Sequence, residues 1–139
     1  MKKALILVIA ALMVPGVALA AKNPSHGPKK PTQTTYVLKG TLSSYTAYNS
    51  DTQTNGSITI LVRHANHHST KTLKGQTLTF PVDAKTKISL ADGVTAITDG
   101  DRGVVKVRAA KHIPAADLAS TLQAQSARQV VDQGAPSSD

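Results

Sequence analysis

The chain has no cysteine, no glutamate, no tryptophan and a single phenylalanine. Without thiols there is no disulfide, no thiolate metal site, no cysteine nucleophile and no N-terminal cysteine to carry lipid. Without glutamate, the H-E-x-x-H zinc hydrolases and the H-x-E zinc deaminases are excluded; all eight acidic side chains are aspartate. The aromatic inventory is Tyr36, Tyr45, Tyr48 and Phe80. So few ring faces argue against a protein that binds nucleic acid or sugars by stacking. There is also no G-x-S-x-G elbow, no Ser-x-x-Lys pair and no P-loop. The reading that follows is therefore non-enzymatic, with no catalytic residue and no cofactor assigned.

What is present begins with an export signal. Lys2 and Lys3 precede an apolar run from Ala4 to Val14, Pro15 and Gly16 break it, and Ala18-Leu19-Ala20 supplies small residues. This is the layout of a signal peptide spanning 1–20 and cleaved between Ala20 and Ala21. The apolar run is about half of the roughly 20 residues that span hydrocarbon, so no mature transmembrane segment is expected. The expected location is secreted, periplasmic or at the cell envelope. Loss of Lys2 and Lys3 takes the 16 cations to 14, and the net charge from +8 to +6. The basic character thus belongs to the exported protein.

Residues 21–34 carry three prolines and three lysines with no large apolar side chain, the composition of a flexible tether. Residues 133–139 read as a tail. Between them, 35–132 is long enough for one hydrophobic core.

That central stretch alternates with period two, as half-buried strands do. Strands are expected at Thr35–Ala47, Ser57–Ala65, Thr77–Val82, Thr86–Leu90 and Gly103–Ala109. A closing strand is expected at Ala127–Asp132. In the second strand, Ile58, Ile60, Val62 and His64 fall on one face, with Thr59, Leu61 and Arg63 on the other. Turn chemistry stands at Asn55-Gly56, Lys74-Gly75, Asp92-Gly93 and Asp99-Gly100-Asp101. Pro114 followed by alanines and Leu118 predicts one short helix near 114–121. The expected architecture is mainly β: a small closed or nearly closed barrel of five to six strands, with a two-sheet sandwich as the alternative.

Two residue sets could carry chemistry. His64, His67 and His68 are imidazoles within five positions, the kind of ligand that suits zinc, copper or nickel. Continued alternation puts His64 and His68 on one face and His67 on the other, and no neighbouring Cys, Asp or Glu completes the set; a solvated polar loop between two strands is the preferred explanation, with metal binding as the alternative. The second set is basic. Lys39, Arg63, Lys106 and Arg108 all lie opposite the apolar faces of their strands. If those strands are neighbours, these side chains form a positive stripe suited to an anionic polymer of the envelope. Solubility and edge protection are the competing use of such residues.

The segments Gly40-Thr41-Leu42, Gly56 to Val62, Thr79 to Ile88 and Asp99 to Val107 together resemble the secreted bacterial domain of unknown function 5666 family. The shared rhythm is Gly-x-Val/Leu, an alternating Ile-Thr-Ile strand, a D-x-x-T-x-I segment and a Gly-Asp-x-V-x-V strand, covering roughly residues 36–110. The resemblance implies a small OB-like barrel and an export route. It supplies no binding or catalytic residue.

Overall fold

A computed structural model describes residues 32–66 and 69–137. The expected signal peptide and its cleavage site, the tether up to residue 31, His67, His68 and the last two residues lie outside these described residues.

Six strands form in chain order: β1 (Gln33–Thr46), β2 (Gly56–Ala65), β3 (Thr77–Val82), β4 (Lys87–Ser89), β5 (Arg102–Ala110) and β6 (Ala127–Asp132). They match the alternating segments because Thr, Val and Ile place their branched side chains well on a pleated surface. A four-residue helix, α1 (Thr70–Leu73), joins β2 to β3. The helix expected after Pro114 is a 3-10 turn at Ala115–Asp117 followed by α2 (Leu118–Gln123).

All six strands belong to one sheet, in the order β3-β2-β1-β5-β6-β4, so the two-sheet sandwich does not occur. Every pairing is antiparallel except β4 with β6, which is parallel. The sheet is not closed by hydrogen bonds, since β3 and β4 stand at its two ends. It does bring β3 against β6, with α2 packed on β3 and β5. At that seam the β3 edge is not left bare: the Thr79 amide donates to Gln123 Oε1 at 3.1 Å. An unpaired strand edge is a template for association, and α2 covers this one.

One apolar cluster fills the inner face. Leu38 and Leu42 of β1, Ile58, Ile60 and Val62 of β2, Phe80 of β3, Val105 and Val107 of β5 and Val130 of β6 are fully buried in it. Leu73 of α1 and Leu122 of α2 close it from the helical side. Two glycines let the backbones approach as this requires. A Cβ on Gly40 would stand 1.9 Å from the Leu61 carbonyl oxygen, and one on Gly103, its partner on β5, 2.3 Å from Leu42 Cδ1. Glycine inside a strand marks such a close backbone approach.

Some local expectations shift. The turn expected at Asn55-Gly56 sits earlier, closed by the Asn49–Thr54 bridge, with Gln53 at φ +51°. Gly56 instead starts β2, where a Cβ would meet the Thr46 carbonyl oxygen. The other glycine turns stand as expected, with Gly75, Gly93 and Gly100 at positive φ. Gln133 and Gly134, the first residues of the expected tail, stay hydrogen-bonded to Arg102.

Candidate functional site: the basic outer face of the sheet

The outer face follows from register. Thr35, Val37, Lys39 and Thr41 on β1 stand opposite Arg108, Lys106, Val104 and Arg102 on β5. Because strand side chains alternate, these residues share the face turned away from Leu38, Val105 and Val107. Lys39, Lys106 and Arg108 are therefore brought to one side of two neighbouring strands, as their positions in the alternation imply.

The β2 side of this face is shaped by a bulge. Lys39 pairs with His64 but Gly40 pairs with Val62, which leaves Arg63 without a register partner. An extra residue in one strand reverses the sense of alternation beyond it. The sequence expectation that His64 continues the inner face of Ile58, Ile60 and Val62 is thereby corrected. His64 is exposed and opposite Lys39, while Ala65, opposite Leu38, packs on the core. Arg63 is exposed at the bulge itself.

The result is a cleft of about 180 Å³ on the outer face, lined by Lys39, Thr41, Arg63, His64, Arg102 and Gln133 among others. Two of the four predicted basic residues, Lys39 and Arg63, meet there. Arg102 joins them, a residue outside the set that the sequence pattern singles out. Positions 102, 104, 106 and 108 share one parity, but the alternation alone starts the strand at Gly103, whereas β5 begins at Arg102. Arg102 is steadied from the C-terminal side, donating from Nη2 to Ser137 Oγ at 3.1 Å, while its backbone bonds Gln133 and Gly134.

Lys106 and Arg108 continue along β5 from the cleft, each two-residue step being roughly 7 Å. Lys106 is half-buried and donates from Nζ to Gln129 Oε1 at 3.0 Å, and Gln129 Nε2 donates on to Ser89 Oγ. That chain of hydrogen bonds holds the ammonium in place across β5, β6 and β4. Arg108 is exposed near the end of its strand. The four predicted residues thus share a face but form two groups, Lys39 with Arg63 in the cleft and Lys106 with Arg108 beyond it.

No carboxylate answers these charges from the strands beneath them. The sequences of β1, β2 and β5 hold no acidic residue at all. In the six strands together the only one is Asp132, which is buried, with Oδ1 accepting from the Gly134 amide. Asp99 and Asp101 act as turn residues: Asp99 Oδ1 accepts from the Ser44 amide at 2.7 Å and Asp101 Oδ2 from the Thr98 amide at 3.0 Å. The tyrosines are also elsewhere. Tyr36 is in the core and Tyr45 and Tyr48 pack against it. Burial pushes the Tyr36 and Tyr45 phenols above their ordinary value, and Tyr36 donates to the Ala110 carbonyl.

The histidine set is not assembled among the described residues. His64 stands on the basic face beside Lys39, His67 and His68 fall outside the described residues, and no group of three or more His or Asp side chains that could hold a metal ion occurs within them. No helix among the described residues is long and apolar enough to cross a membrane. Comparison with protein-family models, with curated proteins and with solved structures returns no match.

Proposed function

We propose that this is an exported, non-enzymatic β module that holds anionic polymers of the cell envelope on the outer face of its sheet. The observation that carries the reading is the cleft where Lys39, Arg63 and Arg102 meet on strands with no acidic residue. Exposed cations seldom cluster unanswered on one face of a small domain, because each raises the cost of the others. An anionic chain laid along β1 and β5 removes that cost, with Lys106 and Arg108 as further contacts. Such contacts recognise charge and spacing rather than ring faces, in keeping with tyrosines that are turned into or against the core. A role based on base stacking is disfavoured for the same reason.

In this reading the six strands and α2 amount to an OB-like barrel whose seam between β3 and β6 is filled by α2 rather than by strand pairing. The segment rhythm shared with the domain of unknown function 5666 family supports that description, as does the contact of β3 with β6.

The test is binding of the purified protein to a fluorescent polyphosphate chain, followed by anisotropy between 25 and roughly 300 mM salt. Contacts made by exposed cations weaken steeply across that range, because the screening length falls below the spacing of the charges. Affinity that does not change with salt would contradict the proposal.

A further inference from the structure

A second concavity lies on the other side of the sheet from the basic face. It has a volume of about 470 Å³ and opens between the start of β1, α1 and the segment leading into α2. Tyr36 and Leu118, both almost fully buried, and half-buried Ile113 give it apolar walls. Lys111 and His112, both exposed, stand at its rim, and no carboxylate lines it among the described residues. The volume falls within the roughly 300–1,000 Å³ typical of small-molecule sites, which favour the mouths of curled sheets.

Ser69 adds an independent pointer. It lines the cleft, is 6% exposed as a residue, and makes no side-chain cap to α1, the helix it precedes. A serine hydroxyl that does not cap its helix can donate to or accept from the polar head of a ligand. Thr72, one turn along, lines the same space. Tyr36 leaves its own hydroxyl outside this set, since it donates to the Ala110 carbonyl at 2.8 Å.

We infer that this cleft binds a small amphiphilic carboxylate, with its apolar body between Tyr36, Ile113 and Leu118 and its head group between Lys111 and Ser69. The chemistry follows from the described lining: apolar walls select a hydrocarbon body, while one ammonium, one imidazole and the Ser69 and Thr72 side chains, with no acid among the described lining residues, select an anionic head. The site shares no residue with the basic outer face and does not depend on polymer binding there.

Octanoate, octanol and octylamine are the probes, titrated into ¹⁵N-labelled protein and followed by amide NMR. Octanoate should give saturable shifts centred on Tyr36, Ser69, Thr72, Lys111, His112 and Leu118, with at least tenfold higher affinity than octanol and none measurable for octylamine. The double variant Lys111→Gln with His112→Gln should bring octanoate down to the octanol level and leave octanol unchanged. Ala115→Trp, at an exposed position on the rim, should block octanoate and octanol while the rest of the spectrum reports an intact fold. Equal affinity for octanoate and octanol would overturn the inference, as would shifts centred on Lys39 and Arg63, full binding by Ala115→Trp, or no saturation by any probe.

Discussion

Lys39 on β1 faces His64 on β2 directly across the sheet, one step beyond the point where Arg63 bulges out of register. This single displaced residue turns His64 from the inner face to the outer one and opens the cleft in which Lys39, Arg63 and Arg102 meet. A structural irregularity of one residue thus creates the feature on which the functional reading rests.

The close approach at the bulge depends on Gly40. A methyl group there would press into the backbone of Leu61 and Val62. Gly40→Ala should cost about 3 kcal/mol or more, at the upper end of the roughly 1–3 kcal/mol for overpacking, because the added Cβ meets backbone rather than a flexible side chain. Gly75 provides the contrast: its φ is +84° but nothing lies within 4 Å of an added Cβ. Gly75→Ala should cost only the roughly 1–2 kcal/mol of a left-handed residue. Urea denaturation of both variants checks the order, and a Gly40→Ala protein as stable as wild type would show that the strands do not approach this closely.

Where β2 ends, Asn66 takes over as the neighbour of β1. Its Oδ1 accepts from the Val37 amide at 2.7 Å, its Nδ2 donates to the Thr35 carbonyl and its own amide donates to the Val37 carbonyl. Asn66→Ala leaves the Val37 amide without an acceptor and should destabilise by about 1–3 kcal/mol. Asn66→Asp keeps the acceptor and loses the donor, so its denaturation midpoint should fall between those of alanine and wild type.

The seam closed by α2 gives a different readout. Gln123→Ala removes the acceptor for the Thr79 amide on the β3 edge. A cost of about 1 kcal/mol is expected, together with faster hydrogen exchange at Thr79 and greater self-association at high concentration. Unchanged exchange at Thr79 would mean that the edge is protected by something other than α2.

Acid should unfold the protein in part through Asp83. Burial alone would raise its carboxyl, but hydrogen bonds from the Lys85 amide, the Ser126 and Thr86 side chains and the Thr86 amide outweigh this and hold it below the ordinary value of 3.8. Because the folded-state value is the lower one, folding disfavours protonation. The stabilisation is therefore fully present above about pH 4, where both states are ionised, and is lost as pH falls through the folded-state value. Asp83→Asn should flatten the acid limb of the stability curve while lowering stability at neutral pH. Parallel acid limbs for the two proteins would assign the pH dependence to another group.

Much of this fold can be read from the alternation of side chains. The strand at Ala127–Asp132 and the turns at Gly75, Gly93 and Gly100 lie where residue chemistry places them, since local φ preference and period-two patterning are properties of the segment itself. The bulge at Arg63 is not of that kind. It is a property of the pairing between β1 and β2, and nothing in Arg63-His64-Ala65 distinguishes an extra residue from a continuing strand. Arg102 escapes the pattern for a related reason: glycine at 103 looks like the start of a strand, whereas it continues one, opposite Gly40. The four residues of α1 are too few for helical periodicity to declare itself.

The central claim is that the outer face, rather than overall basicity, binds the polymer. Two triple variants change the charge equally: Lys39→Gln, Arg63→Gln and Arg102→Gln in the cleft, and Lys22→Gln, Lys29→Gln and Lys30→Gln in the proline-rich N-terminal segment. Polyphosphate affinity is measured for both at the same low salt. The account predicts a loss of at least tenfold for the cleft variant and less than threefold for the N-terminal one. Equal losses in the two variants would contradict it, because binding would then follow net charge and not the geometry of the sheet.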